Sequence, residues 1–211
     1  PGSAYRFARG ESIELPGPDG APFATRLRRP LDFTAVTDHS EFLGEVDLCT
    51  GSAWRLAWWS PTCITTRSNG FGFQLIAARN WAQRLAQPAA ERRRAFICSL
   101  PGSYCAERAA GPWNEIRRAA EEHYDRSASC RFTTFVGYEY TETGPGTQNL
   151  HRNVIFRNDR TTALPISAYD TGAEGPPGLW RRLRSECLER GDGCDVLAIP
   201  HNSNLAGGLE F

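Results

Sequence analysis

The chain has no excess of charge of either sign and no long apolar run. Its 24 Lys and Arg residues balance its 24 Asp and Glu residues, so no net charge draws it to nucleic acid or to an anionic membrane. No apolar stretch approaches the ~18 residues that cross a bilayer, and residues 1–10 lack the apolar centre of a signal peptide. We therefore expect no nucleic-acid partner and no membrane partner, and any ligand must be recognised by a local site.

The motifs of several enzyme classes are also missing. There is no Gly-x-Ser-x-Gly turn, and Gly70-Phe71-Gly72 lacks the other glycines of a nucleotide-binding turn. No two cysteines have the short spacing that is usual in structural zinc sites. No cysteine adjoins a histidine, so nothing visible lowers a thiol pKa for nucleophilic catalysis. These absences argue against a serine hydrolase, a nucleotide-binding protein, a zinc finger and a thiol enzyme.

Seven cysteines are present, and four of them form two closely spaced pairs. Cys98 and Cys105 flank one Gly-containing turn, and Cys187 and Cys194 flank another, so a disulfide could close each loop. The alternative is that these are scattered buried thiols. Because seven is odd, one cysteine must stay unpaired within the chain. Disulfides would indicate an oxidising compartment, so we expect a periplasmic or secreted location, with a cytoplasmic one as the alternative.

Apolar strand-like runs alternate with segments of helical spacing along the chain, which is typical of βα units. The length and the 40% hydrophobic fraction favour a single domain over residues 1–211. The predicted strands are residues 31–37, 132–140, 153–156 and 194–199, after a turn or hairpin within residues 1–30. The predicted helices are residues 4–10, two helices within 72–97 broken near Pro88, one starting after Pro112, and one over 177–190.

Three of the four histidines lie beside the predicted strands. His39 and His201 directly follow apolar strands, and His151 lies on the short link between two others. Side chains at the C-terminal ends of parallel barrel strands converge on one face, so these imidazoles predict a shared metal site. Asp38 and Glu139 would supply the negative charge that a divalent cation needs.

Each of these residues also has a structural interpretation. A lone histidine such as His39 after a strand is more often a hydrogen-bonded structural residue than a ligand. His123 is most simply a solvated helix residue. Glu41 either supports a ligand from behind or lies on the surface. Asn202 and Asn204 either orient a substrate oxygen or form an Asx turn in a polar loop.

Several stretches of the sequence, in order, resemble the DUF3604 family, which is itself similar to the PHP (polymerase and histidinol phosphatase) metal-dependent hydrolases. The matches span nearly the whole chain, so the resemblance is specific at the level of the family. The matching stretches are residues 5–11, 29–44 with the motif TDHSEFLG, 137–141 (GYEYT), 149–156 (NLHRNVIF) and 199–204 (IPHNSN).

The resemblance implies an α/β fold, a distorted (βα)7-type TIM-like barrel of the PHP kind that is present here as a partial barrel. It also implies two or three divalent ions, Mn, Zn or Fe, at the C-terminal strand ends. His39 matches the Asp-His motif, Glu139 the carboxylate that can bridge metals, and His151 and His201 the later ligands. Asp38 either binds metal or hydrogen-bonds His39.

Two motifs of the family pattern are missing from this chain. There is no His-x-His of the kind found on the first strand, and no late Asp-x-His. We therefore expect that the first and last metal motifs lie outside the chain, in a longer protein of which this is a fragment. Residues 1–211 would then supply only part of the metal site.

The expected function is a metal-dependent hydrolase of phosphomonoesters, phosphodiesters or related small anionic esters, which uses a water that bridges the ions. Glu139 would take part in catalysis. Arg152 and Asn202 would contact substrate oxygens because each adjoins a predicted ligand, although Arg152 could equally form a surface ion pair. The alternative is a non-catalytic binding or structural module, in which disulfides staple a degenerate PHP-like scaffold.

Overall fold

A mixed four-stranded sheet and a separate two-stranded hairpin make up the strands of this computed structural model. The structure describes residues 1–17, 20–51, 56–68, 71–85, 87, 94–143, 148–202 and 206–208. The strands are β1 (Ile13–Pro16), β2 (Pro22–Thr25), β3 (Phe33–Val36), β4 (Thr133–Thr143), β5 (Asn149–Phe156) and β6 (Val196–His201). The α-helices are α1 (Gly2–Ala8), α2 (Leu43–Thr50), α3 (Pro61–Arg67), α4 (Phe71–Leu85), α5 (Cys105–Arg108), α6 (Ala110–His123), α7 (Ala168–Thr171) and α8 (Gly175–Glu186).

The large sheet has the strand order β3-β4-β5-β6. β3 pairs with β4 in parallel, whereas β4 with β5 and β5 with β6 pair antiparallel. β1 and β2 form a hairpin within residues 1–30, where a loop or a hairpin was expected. A long connection that contains α2 to α6 separates β3 from β4, and such a connection is what a parallel pair requires.

The expected TIM-like barrel is wrong. Over the described residues the large sheet is open, and one of its three strand pairs is parallel, whereas a TIM barrel closes with parallel strands throughout. The physical reason lies between β4 and β5, which are joined by residues 144–148 alone. So short a link can turn the chain back into an antiparallel neighbour but cannot make the crossover that a parallel neighbour needs.

One face of the large sheet is buried and the other is open. Side chains alternate along a strand, and on β4 and β5 the even-numbered residues point into the core. There Tyr138 and Phe156 pack on Trp113 of α6, with ring centroids 5.8 Å and 6.1 Å away. The odd-numbered face leaves Phe33 66% exposed and Leu197 65% exposed. The strands therefore present one apolar core face and one accessible face.

The predicted helices and strands are mostly present, with shifted ends. Helix α6 buries Trp113 and Ile116 as its spacing predicts, but it begins before Pro112 rather than after it. Between residues 72 and 97 the described residues contain α4, where the first helix was predicted, and a short 3-10 helix, Phe96–Ser99. Residues 88–93, where the second helix was predicted, lie outside the described residues. Pro88, the predicted break, lies outside the described residues. No helix in the described ranges is both long and apolar enough to span a membrane.

Three disulfides link the described residues. Cys98–Cys105 and Cys187–Cys194 confirm the two predicted pairs, and a third, Cys49–Cys63, joins α2 to α3. The third pair was not predicted because its 14-residue separation gives no local signal. Cys130 is free and exposed, which accounts for the odd number of cysteines. Cys49, Cys63, Cys98 and Cys105 lie in or against a small second apolar cluster, whereas Cys187 and Cys194 belong to the main core.

We expect the native chain to react with one equivalent of a thiol reagent, at Cys130, because the other six cysteines are paired.

Replacing both Cys98 and Cys105 by Ser should lower the free energy of unfolding by about 2–3 kcal/mol, since it frees a short loop in the unfolded chain. The measurements are a thiol count and urea unfolding. Cys130→Ser is the control: it should abolish the reactive thiol and leave the unfolding midpoint unchanged. Seven reactive thiols in the folded protein would contradict the pairing.

Candidate metal centre

Four side chains meet at one edge of the large sheet: His39, Glu139, His151 and His201. β3, β4 and β6 all run towards this edge, and β5 starts there because it runs the opposite way. His39 forms a parallel bridge with Glu139 just beyond the end of β3, and His151 pairs directly with His201. The strand directions thus bring together residues that are up to 162 positions apart in the sequence.

Glu139 lies at the middle of this cluster. Its Oε1 accepts a hydrogen bond from His151 Nδ1 and lies 3.3 Å from His201 Nε2 and 3.8 Å from His39 Nδ1. Two atoms bound to one ion at about 2.0–2.2 Å lie about 3 Å apart, so these spacings are close to those of a common coordination sphere. The ligand atoms of His39, Glu139 and His151 lie within 4.8 Å of one another.

The donor types also fit a divalent ion. Imidazole nitrogens with one carboxylate oxygen form the ligand set of many catalytic zinc sites, and they also suit manganese and iron. The Glu139 side chain is 13% exposed and that of His39 is 51% exposed. A small ion and a ligand from solution can therefore reach the cluster from the open face of the sheet.

Thr141 belongs to the same cluster, although the sequence did not single it out. Its Oγ1 lies 2.7 Å from His39 Nδ1 and 3.1 Å from His151 Nδ1, so it connects the two rings. The signal that would have found it is simple alternation, because Thr141 lies two residues after Glu139 on the same strand and so faces the same side.

The histidines change the acidity of Glu139. Burial alone would raise the pKa of this carboxyl, but the hydrogen bond from His151 and the nearby rings of His39 and His201 outweigh it and hold the pKa below its usual value. Glu139 is therefore ionised near neutral pH. A carboxylate in this state is the form that binds a cation.

Asp38 and Arg152 are not brought into the cluster. Asp38 is exposed and follows β3, and its charge adds to the raised pKa of Tyr5, for which burial is the main cause. Arg152 is buried, with its guanidinium 6.0 Å from the ring of Trp180. Asn202 follows His201, is exposed, and has a left-handed backbone with φ of 58°. Its backbone therefore adjoins the cluster at His201, and its role as a substrate contact stays a prediction.

The remaining candidates lie elsewhere. His123, expected to be solvated, is half-buried instead, and its ring stacks on Tyr5 at 5.4 Å. A second possible metal group is Glu45 with Cys98 and Cys105, but those two sulfurs are joined in a disulfide and cannot act as thiolate ligands. Asn204 lies outside the described residues.

Glu41, left open between a supporting and a surface role, is fully buried beside the cluster. Its Oε1 accepts hydrogen bonds from Thr141 N at 2.9 Å, Ser40 Oγ at 3.1 Å and Ala168 N at 3.3 Å. Burial raises the pKa of Glu41 to about 7, and the hydrogen bonds oppose this only in part. Glu41 is thus buried against the strand that carries Glu139 and is not a surface residue.

The raised pKa of Glu41 predicts a pH-dependent stability. The folded protein holds a proton on Glu41 up to about pH 7, whereas the unfolded chain releases it near pH 4.5. The stabilisation is therefore complete below pH 4.5 and is lost as the pH rises through 7, by about 3 kcal/mol. In metal-free buffer, Glu41→Gln should remove most of this dependence, measured by urea unfolding at pH 5 and pH 8. Equal pH dependence in wild type and variant would contradict the assignment.

Comparison with known proteins identifies a family. The sequence model of the family described as "Protein of unknown function (DUF3604)" matches residues 1–211. Searches of curated proteins and of solved structures returned no match. The family match covers the entire chain and agrees with the resemblance carried by the Asp-His, Glu139 and His151 segments. The chain therefore belongs to the DUF3604 family.

Proposed function

We propose that this chain is a metal-dependent hydrolase that acts on phosphomonoesters, phosphodiesters or related small anionic esters. The observation that supports this most is the convergence of three imidazoles on Glu139 Oε1, on the open face of the sheet. Such a partly exposed cluster of good metal ligands serves no evident packing purpose. The likeness to PHP hydrolases, which the family match does not itself include, points to the same chemistry.

Under this proposal His39, Glu139, His151 and His201 hold divalent ions, Mn, Zn or Fe, two or three of them by likeness to PHP proteins. A bound divalent ion lowers the pKa of a water molecule and polarises the oxygen of an ester. Glu139 supplies the negative charge of the site.

The residues around the ligands have separate proposed roles. Thr141 orients the rings of His39 and His151 through its hydroxyl. Asn202, exposed and next to His201, contacts a substrate oxygen with its side-chain amide. Arg152 supports the sheet from the buried face, because its contact with Trp180 keeps it on the side opposite the cluster.

A periplasmic or secreted location accompanies this proposal. Three disulfides link the described residues, and disulfides persist in oxidising compartments but are rare in the reducing cytosol. The location fits a hydrolase that meets its ester substrate outside the cytoplasm.

The test is metal content and hydrolysis of an aryl phosphodiester with Mn²⁺, for the wild-type protein in its full length. Glu139→Gln and His151→Ala should each lower kcat/KM by about 100-fold or more, because even the loss of a residue that only supports a ligand costs about 10–100-fold in metal affinity or activity. His123→Gln is the matched control, since that ring lies against Tyr5 and away from the cluster. It should keep both metal and activity.

Two results would contradict the proposal. Unchanged rates in both ligand variants would remove Glu139 and His151 from the site. A wild-type protein that binds metal but hydrolyses neither phosphomonoesters nor phosphodiesters would favour the non-catalytic binding module instead.

A further inference from the structure

We infer that Glu41 is a positioning residue of the metal centre, whose buried carboxyl group fixes the backbone that carries Glu139 and Thr141 against the segment that carries His39. The inference rests on the proposed metal centre and assigns one further residue to it. It concerns hydrogen bonds that hold the ligands in place, and Glu41 is not itself proposed as a ligand.

The backbone pairing between β3 and β4 ends at the cluster, with the isolated bridge between His39 and Glu139. The last regular pair is Val36 with Val136, and one more backbone bond, from Glu139 N to the Asp38 carbonyl at 2.9 Å, follows it. His39 lies beyond β3, where the chain turns into a short 3-10 helix, Ser40–Phe42. Regular strand pairing therefore does not hold the His39 segment along the rest of β4.

Two side chains continue the pairing past this point. Ser40 Oγ donates to the Glu139 carbonyl at 3.0 Å, and Thr141 N donates to Glu41 Oε1 at 2.9 Å. These bonds are directed at the same two residues of β4 whose side chains enter the cluster. Side-chain groups thus replace the missing backbone partners of β4 at the metal centre.

Glu41 also joins this pair to a third segment. The same Oε1 accepts from Ala168 N, at the first residue of α7, and from Ser40 Oγ. Burying a carboxyl group costs free energy that an apolar side chain of similar size would not. Glu41 is nevertheless fully buried. Its Oε1 accepts hydrogen bonds from backbone N–H groups that an apolar side chain would leave without a partner.

A shift of this backbone would reach the ligands directly. Thr141 Oγ1 contacts Nδ1 of both His39 and His151, so a displaced Thr141 would release both rings. Residues that orient metal ligands in this way typically contribute about 10–100-fold to metal affinity. Loss of the Glu41 contact should therefore weaken metal binding without removing any ligand.

Glu45 provides a matched control. It is also fully buried and lies four residues further on, in α2. Its carboxylate, however, accepts from Arg94 at 3.1 Å and 3.2 Å. Replacing it removes a buried acidic group of the same kind without touching the Glu139–Thr141 backbone.

The experiment measures Mn²⁺ affinity by calorimetry and the visible spectrum of the Co²⁺ form, on the full-length protein. Glu41→Gln keeps the length and the acceptor oxygen but not the charge, whereas Glu41→Asp keeps the charge but is one methylene too short to reach Thr141 N. We expect Glu41→Gln and Glu45→Gln to bind Mn²⁺ within about threefold of wild type. Glu41→Asp should bind about 10–100-fold more weakly, with an altered Co²⁺ spectrum.

The outcomes separate this inference from the proposed function. Wild-type protein that binds neither Mn²⁺ nor Co²⁺ overturns the metal centre and the role of Glu41 with it. If wild type and Glu41→Asp bind Mn²⁺ equally well, the positioning role alone is overturned. The same holds if Glu41→Gln and Glu41→Asp lose Mn²⁺ affinity to the same extent. If Glu41→Asp does not fold, Ser40→Ala replaces it, because that change deletes the neighbouring bond to the Glu139 carbonyl. Unchanged affinity and spectrum in Ser40→Ala would then overturn the inference.

Discussion

The backbone pairing of β4 with its two neighbours is the interaction on which the rest of the structure depends. β4 pairs in parallel with β3 and antiparallel with β5, and its register places Glu139 beside His39 on one side and Thr141 beside His151 on the other. A shift of one residue would turn every side chain of the strand to the opposite face. The core and the candidate metal centre would then both be lost.

This register gives the two faces of the sheet different tasks. The even-numbered face supplies Tyr138 and Phe156 to a core that includes Trp113, and burial of each such ring contributes about 1.5–3 kcal/mol. The odd-numbered face carries the histidines and is open to solvent. Packing of the even-numbered face therefore fixes the positions of the histidines on the odd-numbered face. The histidines would not stabilise the fold by themselves.

Buried carboxyl groups and disulfides secure the segments that lie outside the sheet. Glu41 ties the residues after His39 to β4 and α7, and Glu45 with Arg94 lies beside the small cluster that contains Cys98 and Cys105. The two acidic residues are four positions apart but have different partners. The bonds of Glu41 lie beside the candidate metal centre, whereas those of Glu45 lie in the helical region next to it.

The sequence by itself determined the family, two of the three disulfides and the four residues that meet at the sheet edge, because these are local motifs or short spacings. The tertiary structure decided what depends on long-range pairing: the open, mixed sheet in place of a barrel, the Cys49–Cys63 bond, and the positions of Thr141 and Glu41 beside the cluster. It also placed Asp38 and Arg152 away from the cluster. Adjacency to His151 in the sequence made Arg152 a candidate, but neighbours along a strand point to opposite faces.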